Sequence, residues 1–117
     1  MIFRTLLAVF AFATSAAAQQ AVDGTQANLR VLDKVTGSVT DITMPVGTTQ
    51  QVGLLNVNLQ ECRAPRANPN GDAYALVVIK YRDDAAPAFQ GWMIASAPAL
   101  NAMDHPRYDV WVLRCAI

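Results

Sequence analysis

What this sequence is short of narrows its chemistry before any motif is considered. It has one histidine, His105, so a multi-histidine metal centre is excluded and any metal site would need two or more carboxylates to converge on that ring. Only 15% of its residues are charged, nine basic against nine acidic, for a formal net charge of zero. That balance leaves neither the basic footprint of a nucleic-acid binder nor a polybasic membrane patch. Two cysteines, Cys62 and Cys115, stand far apart, which is not the close Cys-x-x-Cys spacing of a redox motif. No apolar run approaches the roughly 20 residues needed to span a bilayer. There is no internal repeat, heptad pattern or low-complexity tract, and no stretch carries a nucleotide or metal signature. Nothing in the composition calls for a cofactor.

What is present begins with a leader. Arg4 gives a short positive region, residues 6–13 an apolar core, and Ala16, Ala17 and Ala18 a small-residue cleavage site before Gln19. Residues 1–18 therefore read as a signal peptide that delivers the mature chain to the periplasm or beyond. No cysteine follows the cleavage site, so a lipid anchor is not indicated. Without Arg4 the mature chain has eight basic and nine acidic residues, in a length suited to one domain. Residues 19–26 are small and polar and predict a loose lead-in; residues 27–117 form the single domain. In an oxidising compartment, Cys62 and Cys115 are expected to pair.

The patterning predicts strands. Leu29 and Val31 alternate with Asn28 and Arg30, and a turn at Thr36-Gly37-Ser38 leads into a second β-rich run over 39–44, a hairpin signature. After Pro45 and Gly47, a short strand over 48–52 turns at Gly53 into residues 54–62. There Leu55, Val57 and Leu59 face one way and Asn56, Asn58 and Gln60 the other. Strict alternation puts Cys62 on the polar face, so pairing with Cys115 requires a bulge near Glu61 or a strand end there. Pro65, Pro69 and Asn70-Gly71-Asp72 mark an exposed loop over 63–72, without the alternating acidic ligands of a calcium loop. Residues 73–81 are apolar on both parities and predict a central strand covered on both faces. Residues 88–95 form another strand. Ser96 is placed to cap a short helical turn over 97–103 that packs Leu100 and Met103 on one face, before Pro106 stops it. In the final strand, 108–115, Trp111 and Leu113 are expected inward, with Val110, Val112 and Arg114 on the other face. The fold class expected is all-β: a small antiparallel sandwich or barrel of about seven strands, with one short helical turn and one disulfide.

Residues 91–115 hold both tryptophans, the histidine and one cysteine. Gly91-Trp92-Met93, Ala95-Ser96, Pro98 and Leu100, followed by His105-Pro106, Tyr108-Asp109-Val110-Trp111-Val112-Leu113 and Cys115, resemble a family of small secreted proteobacterial proteins known as domain of unknown function 2155. Leu32-Asp33-Lys34-Val35-Thr36-Gly37 and Pro45-Val46-Gly47 extend the resemblance over nearly all of the mature chain. It departs from the family pattern at Ile94, at Ala97 and in the loop over 63–72. The resemblance implies compartment and domain extent and brings no reaction with it.

Three readings of the chemistry follow. The first is a non-enzymatic envelope accessory domain that holds another envelope protein, with Trp92, Met93, His105 and Tyr108 as its interaction surface, or with an exposed sheet edge. The second is a carbohydrate- or peptidoglycan-binding module with Trp92, Tyr108 or Tyr74 as a stacking platform. The third is a small hydrolase using His105 with Asp104 or Asp109. Ser96, in Ala-Ser-Ala-Pro, lacks a glycine-rich elbow and reads better as a cap, and His105 reads better as a turn-bonding residue before Pro106, so no catalytic residue is assigned.

Overall fold

In the computed structural model, which describes residues 20–117, the alternating runs become eight strands. They are β1 (Ala21–Asp23), β2 (Gln26–Asp33), β3 (Val39–Pro45), β4 (Thr49–Val52), β5 (Leu55–Pro65), β6 (Tyr74–Tyr81), β7 (Phe89–Ile94) and β8 (Tyr108–Ala116). The leader expected over 1–18 lies outside the described residues. Every pairing is antiparallel. One sheet runs β1-β5-β6-β7 with β4 also on β5, and the other runs β3-β2-β8. Their inner faces share one core that includes Leu29, Met44, Leu55, Val57, Leu59, Val77, Ile79 and Val112. The fold is a sandwich.

The strand beyond the expected seven is β1, inside the stretch read as a loose lead-in. Ala21, Val22 and Asp23 pair with Pro65, Ala64 and Arg63. Three residues are too few to carry a period, so the order there comes from the partner strand. Gly24 then crosses the disulfide. Its N–H donates to the Cys62 carbonyl at 2.6 Å, and a Cβ at this position would lie 2.8 Å from the Ala116 carbonyl oxygen and 3.1 Å from the Cys115 Cβ. Only glycine lets the backbone pass so close.

Of the two ways to bring the sulfurs together, the strand takes the bulge near Glu61 and runs on to Pro65. The β5–β6 register shifts between Leu59 and Glu61, which brings Cys62 onto the buried side with Leu55, Val57 and Leu59. The disulfide to Cys115 follows, with Cα atoms 5.8 Å apart, and joins the two sheets. In β8 the expected parity is reversed: Tyr108, Val110 and Val112 are buried, while Trp111 is half-buried and Leu113 is exposed. A second shift between Asn28 and Leu29 leaves Leu113 unpaired and returns Cys115 to the core. Counting back from the cysteine through an unseen bulge inverts every side chain before it.

β6 is central, between β5 and β7, but it is covered on one face only. Ala75, Val77 and Ile79 are buried, whereas Tyr74, Leu76 and Val78 on the opposite face are half-buried with no described element over them. The expected helical turn is also absent. Residues 94–100 make two successive tight turns, with the Ala97 N–H on the Ile94 carbonyl at 3.2 Å and the Leu100 N–H on the Ala97 carbonyl at 3.1 Å. Pro98 has no N–H to donate, and Ser96 is bonded elsewhere, so nothing nucleates or caps a helix. Met103 is buried and Leu100 is 76% exposed, so the two do not share a face.

Candidate binding face

The four residues expected to form one interaction surface are separated by the fold: Trp92 is exposed, His105 is half-buried, and Met93 and Tyr108 are buried. Alternation along β7 turns Trp92 outward, where it is 36% exposed, and Met93 inward, where it is 3% exposed. Tyr108 is 2% exposed; its hydroxyl accepts the Leu54 N–H at 3.1 Å and closes the β4–β5 turn. Gly53 in that turn has φ 57°, and a Cβ there would come 2.6 Å from the Tyr108 hydroxyl, so the glycine and the tyrosine fit only together. Met93 and Tyr108 therefore leave the candidate surface for the core, and Tyr108 is not a stacking platform.

His105 is half-buried at the Tyr81 end of β6, its ring centroid 4.5 Å from that of Tyr81. Its Nδ1 accepts the backbone N–H groups of Arg107 at 3.1 Å and Tyr108 at 3.2 Å, which fixes the proton of the neutral ring on Nε2. The Lys34 ammonium donates to its carbonyl at 2.8 Å. Next to it the Arg107 guanidinium pairs with Asp33 at 3.1 Å. The Arg107 hydrogen bond, reinforced by the Val35 and Thr36 amides, holds the Asp33 carboxyl below its ordinary range against the opposing effect of burial. This cluster fastens the β2–β3 turn to the loop entering β8. Among the described residues His105 makes no hydrogen bond with Ser96, Asp104 or Asp109.

Trp92 lies toward the other end of β6, opposite Leu76, with Ile94 opposite Tyr74. Since the residues of β6 and β7 alternate in step, Tyr74, Leu76, Val78, Trp92 and Ile94 share the outer face of the larger sheet. The apolar character of both parities of β6 was the sequence signal for this strip. Two depressions share Tyr74, one on the strip and one beside its end against the 65–72 loop. One, of about 340 Å³, is lined by Ala21, Arg63, Tyr74, Trp92 and Ile94. The other, of about 580 Å³, is lined by Gln20, Pro65, Arg66, Ala67, Asn68, Gly71, Asp72 and Tyr74.

Asp72 anchors the groove. Its carboxylate accepts the Ser96 hydroxyl at 2.7 Å and the Ser96 and Ala73 N–H groups at 2.9 Å each, tying the loop after β5 to the loop after β7. Burial pushes its pKa up, but the Ser96 hydroxyl, the two amides and the Tyr74 hydroxyl outweigh that, and the group is held below its ordinary value. Tyr74 is shifted up in turn, by burial and then by the Asp72 charge. Ser96 thus positions a carboxylate and serves neither as a helix cap nor as the partner of His105. Asp72 itself was legible only as part of a turn.

Among the described residues no three metal-ligating side chains converge, and no helix is long and apolar enough to cross a membrane. No solved structure matches the chain significantly. It is 30% identical over 94 residues to uncharacterized protein RP359 of Rickettsia prowazekii (strain Madrid E), an alignment covering 78% of this chain and 61% of that relative. The chain therefore spans less than two thirds of the relative it matches. Residues 27–115, from the first buried residue of β2 to the disulfide, match the family described as uncharacterized protein conserved in bacteria (DUF2155), and the chain belongs to that family.

Proposed function

We propose that the protein is a non-enzymatic accessory domain of the cell envelope that holds another envelope protein on the outer face of its larger sheet. The observation that carries this reading is the strip of Tyr74, Leu76, Val78, Trp92 and Ile94, an apolar surface that no described element covers. Burying such a strip against a partner is favourable at about 25 cal/mol per Å² of apolar area, and aromatic anchors are typical of binding hot spots. The leader-like residues 1–18 and the Cys62–Cys115 disulfide both support delivery to an oxidising space.

The test places a photo-crosslinkable residue at Gln90, which is exposed on the same face one step along β7 from Trp92. In the native host, a dominant protein adduct that disappears with Trp92→Ala is expected. No adduct, or one indifferent to Trp92, would reject this face. Peptidoglycan binding is a second reading, favoured by the shared groove of Tyr74 and Trp92 with the polar groups of Gln20, Asn68 and Asp72 beside them. Salt-resistant retention on cell-wall sacculi, lost with Trp92→Ala, would establish it in place of the first.

A further inference from the structure

The two depressions differ in what they can recognise, and the difference describes the partner. Around Trp92 the lining is Ala21, Ile94 and the Tyr74 ring, with a single charged side chain, Arg63. That guanidinium is already engaged, with Asp23 at 3.2 Å and Glu61 at 3.7 Å. This depression accepts an apolar side chain and offers few partners to the hydroxyls of a sugar.

The larger depression carries two charged side chains, Asp72 and Arg66. Asp72 has its acceptors engaged from within the fold by the Ser96 hydroxyl and the Ser96 and Ala73 amides. Arg66 is held in place through its backbone, whose N–H donates to the Gln20 carbonyl at 2.8 Å. Among the described residues its guanidinium takes part in no ion pair and no side-chain hydrogen bond. The side chain left with free donors at this end is therefore Arg66, whose fork matches a carboxylate.

We infer that the partner presents an extended segment, with an apolar side chain seated beside Trp92 and Ile94 and a single carboxylate on Arg66, the chain between them passing over Tyr74. This stands on the protein-partner reading and adds to it the chemistry of the bound segment. The unengaged donors of Arg66 favour it over a bare apolar peptide. The one-sided apolar lining around Trp92 favours it over a glycan, which needs hydrogen-bonding groups beside its stacking ring.

Phage-displayed random peptides selected on the oxidised protein, with the Trp92→Ala variant used to remove other binders, supply the probe. Enriched sequences should combine an aromatic or branched apolar residue with Asp or Glu. Arg66→Glu should weaken a synthetic peptide from that pool by about tenfold or more, the scale of a lost charge-assisted bond, and replacing its acid by Lys should recover much of that loss. No enrichment over Trp92→Ala, or enriched peptides without acids that ignore Arg66→Glu, would overturn the inference. Arg66 is exposed, so its replacement leaves the core alone, and an intact melting transition in the variant checks this. The Gln90 adduct separates the two levels: an adduct lost with Trp92→Ala but kept with Arg66→Glu overturns the carboxylate and leaves the binding face standing, whereas one that ignores Trp92→Ala removes both.

Discussion

On the outer face of the smaller sheet, side chains reach across the strands. Arg30 bonds both oxygens of Asp41, at 2.8 and 3.0 Å, and the Thr43 hydroxyl donates to Asn28 at 2.8 Å. On the larger sheet, a cross-strand bond of this kind joins Asn58 to Thr49 at the β4 edge, but the β6–β7 strip has apolar neighbours instead: Leu76 opposite Trp92 and Tyr74 opposite Ile94. The two tryptophans make the contrast concrete, since Trp111 faces outward opposite Arg30 and Trp92 faces outward opposite Leu76. A polar outer face keeps an edge strand such as β3 hydrated and in register. An apolar one does neither; on the smaller sheet the outward Leu32, Val39 and Trp111 lie among Arg30, Asp41 and Thr43, whereas the β6–β7 strip is contiguous, and that contiguity is what points to a bound partner.

The largest test of the contrast is to loosen the link between the sheets that carry it. Replacing both cysteines, Cys62→Ala with Cys115→Ala, should cost about 4 kcal/mol by the loop-closure argument for a 53-residue separation. For a domain of this size that is a fall in melting temperature on the order of 20 °C. An unchanged melting temperature would mean that the shared core alone holds the sheets together.

Exchanging the tryptophans separates stability from binding. Trp111→Ala and Trp92→Ala each remove a partly exposed ring, and each should cost about 1 kcal/mol. Only Trp92→Ala should abolish the Gln90 adduct. If Trp111→Ala abolishes it as well, the outer face of the smaller sheet shares in binding and the contrast is lost.

How much of this could be read from the residues depends on where the information resides. The hairpins over β2–β3 and β4–β5, the central place of β6, the disulfide and the bulge near Glu61 are all local: alternation, turn glycines and the parity of Cys62 carry them. The orientation of β8 is not local, because the extra residue Leu113 is unpaired only in relation to the Asn28–Leu29 step of β2. Met93 and Tyr108 were drawn to the surface by their place in a motif, although alternation from Trp92 turns Met93 inward and the Gly53 turn needs the Tyr108 hydroxyl. The bond from Ser96 to Asp72 spans 24 residues and joins two loops, so no spacing rule anticipates it. A β6 apolar on both parities predicts a strand covered on both sides, yet only one face is buried, because patterning shows that a face is apolar and not what, if anything, lies over it.

Asp72 offers a finer probe of the groove. Its pKa is depressed in the folded protein, so its contribution to stability is present above the unfolded value of about 3.8 and is lost as the pH falls through the lower folded value. Asp72→Asn should lower the melting temperature at neutral pH, and the gap from wild type should close in acid. Parallel melting curves across that range would show that the carboxylate does not depend on its charge. The same substitution should weaken the Gln90 adduct, because the Ser96 loop after β7 loses its anchor on the loop before Tyr74.

The smallest effect is expected on the polar face. Arg30 and Asp41 are both exposed, and their mutual bonds hold the Asp41 carboxyl below and the Arg30 guanidinium above their ordinary ranges. Solvent competes for such a pair, and ordering two side chains offsets much of its attraction. A double-mutant cycle of Arg30→Ala and Asp41→Ala should therefore give a small coupling that disappears near 1 M salt, where screening acts over only about 3 Å. The Gln90 adduct should be indifferent to both substitutions. A coupling that persists in salt would indicate that the pair positions β3 by geometry more than by charge, and an altered adduct would link the two outer faces through the core between them.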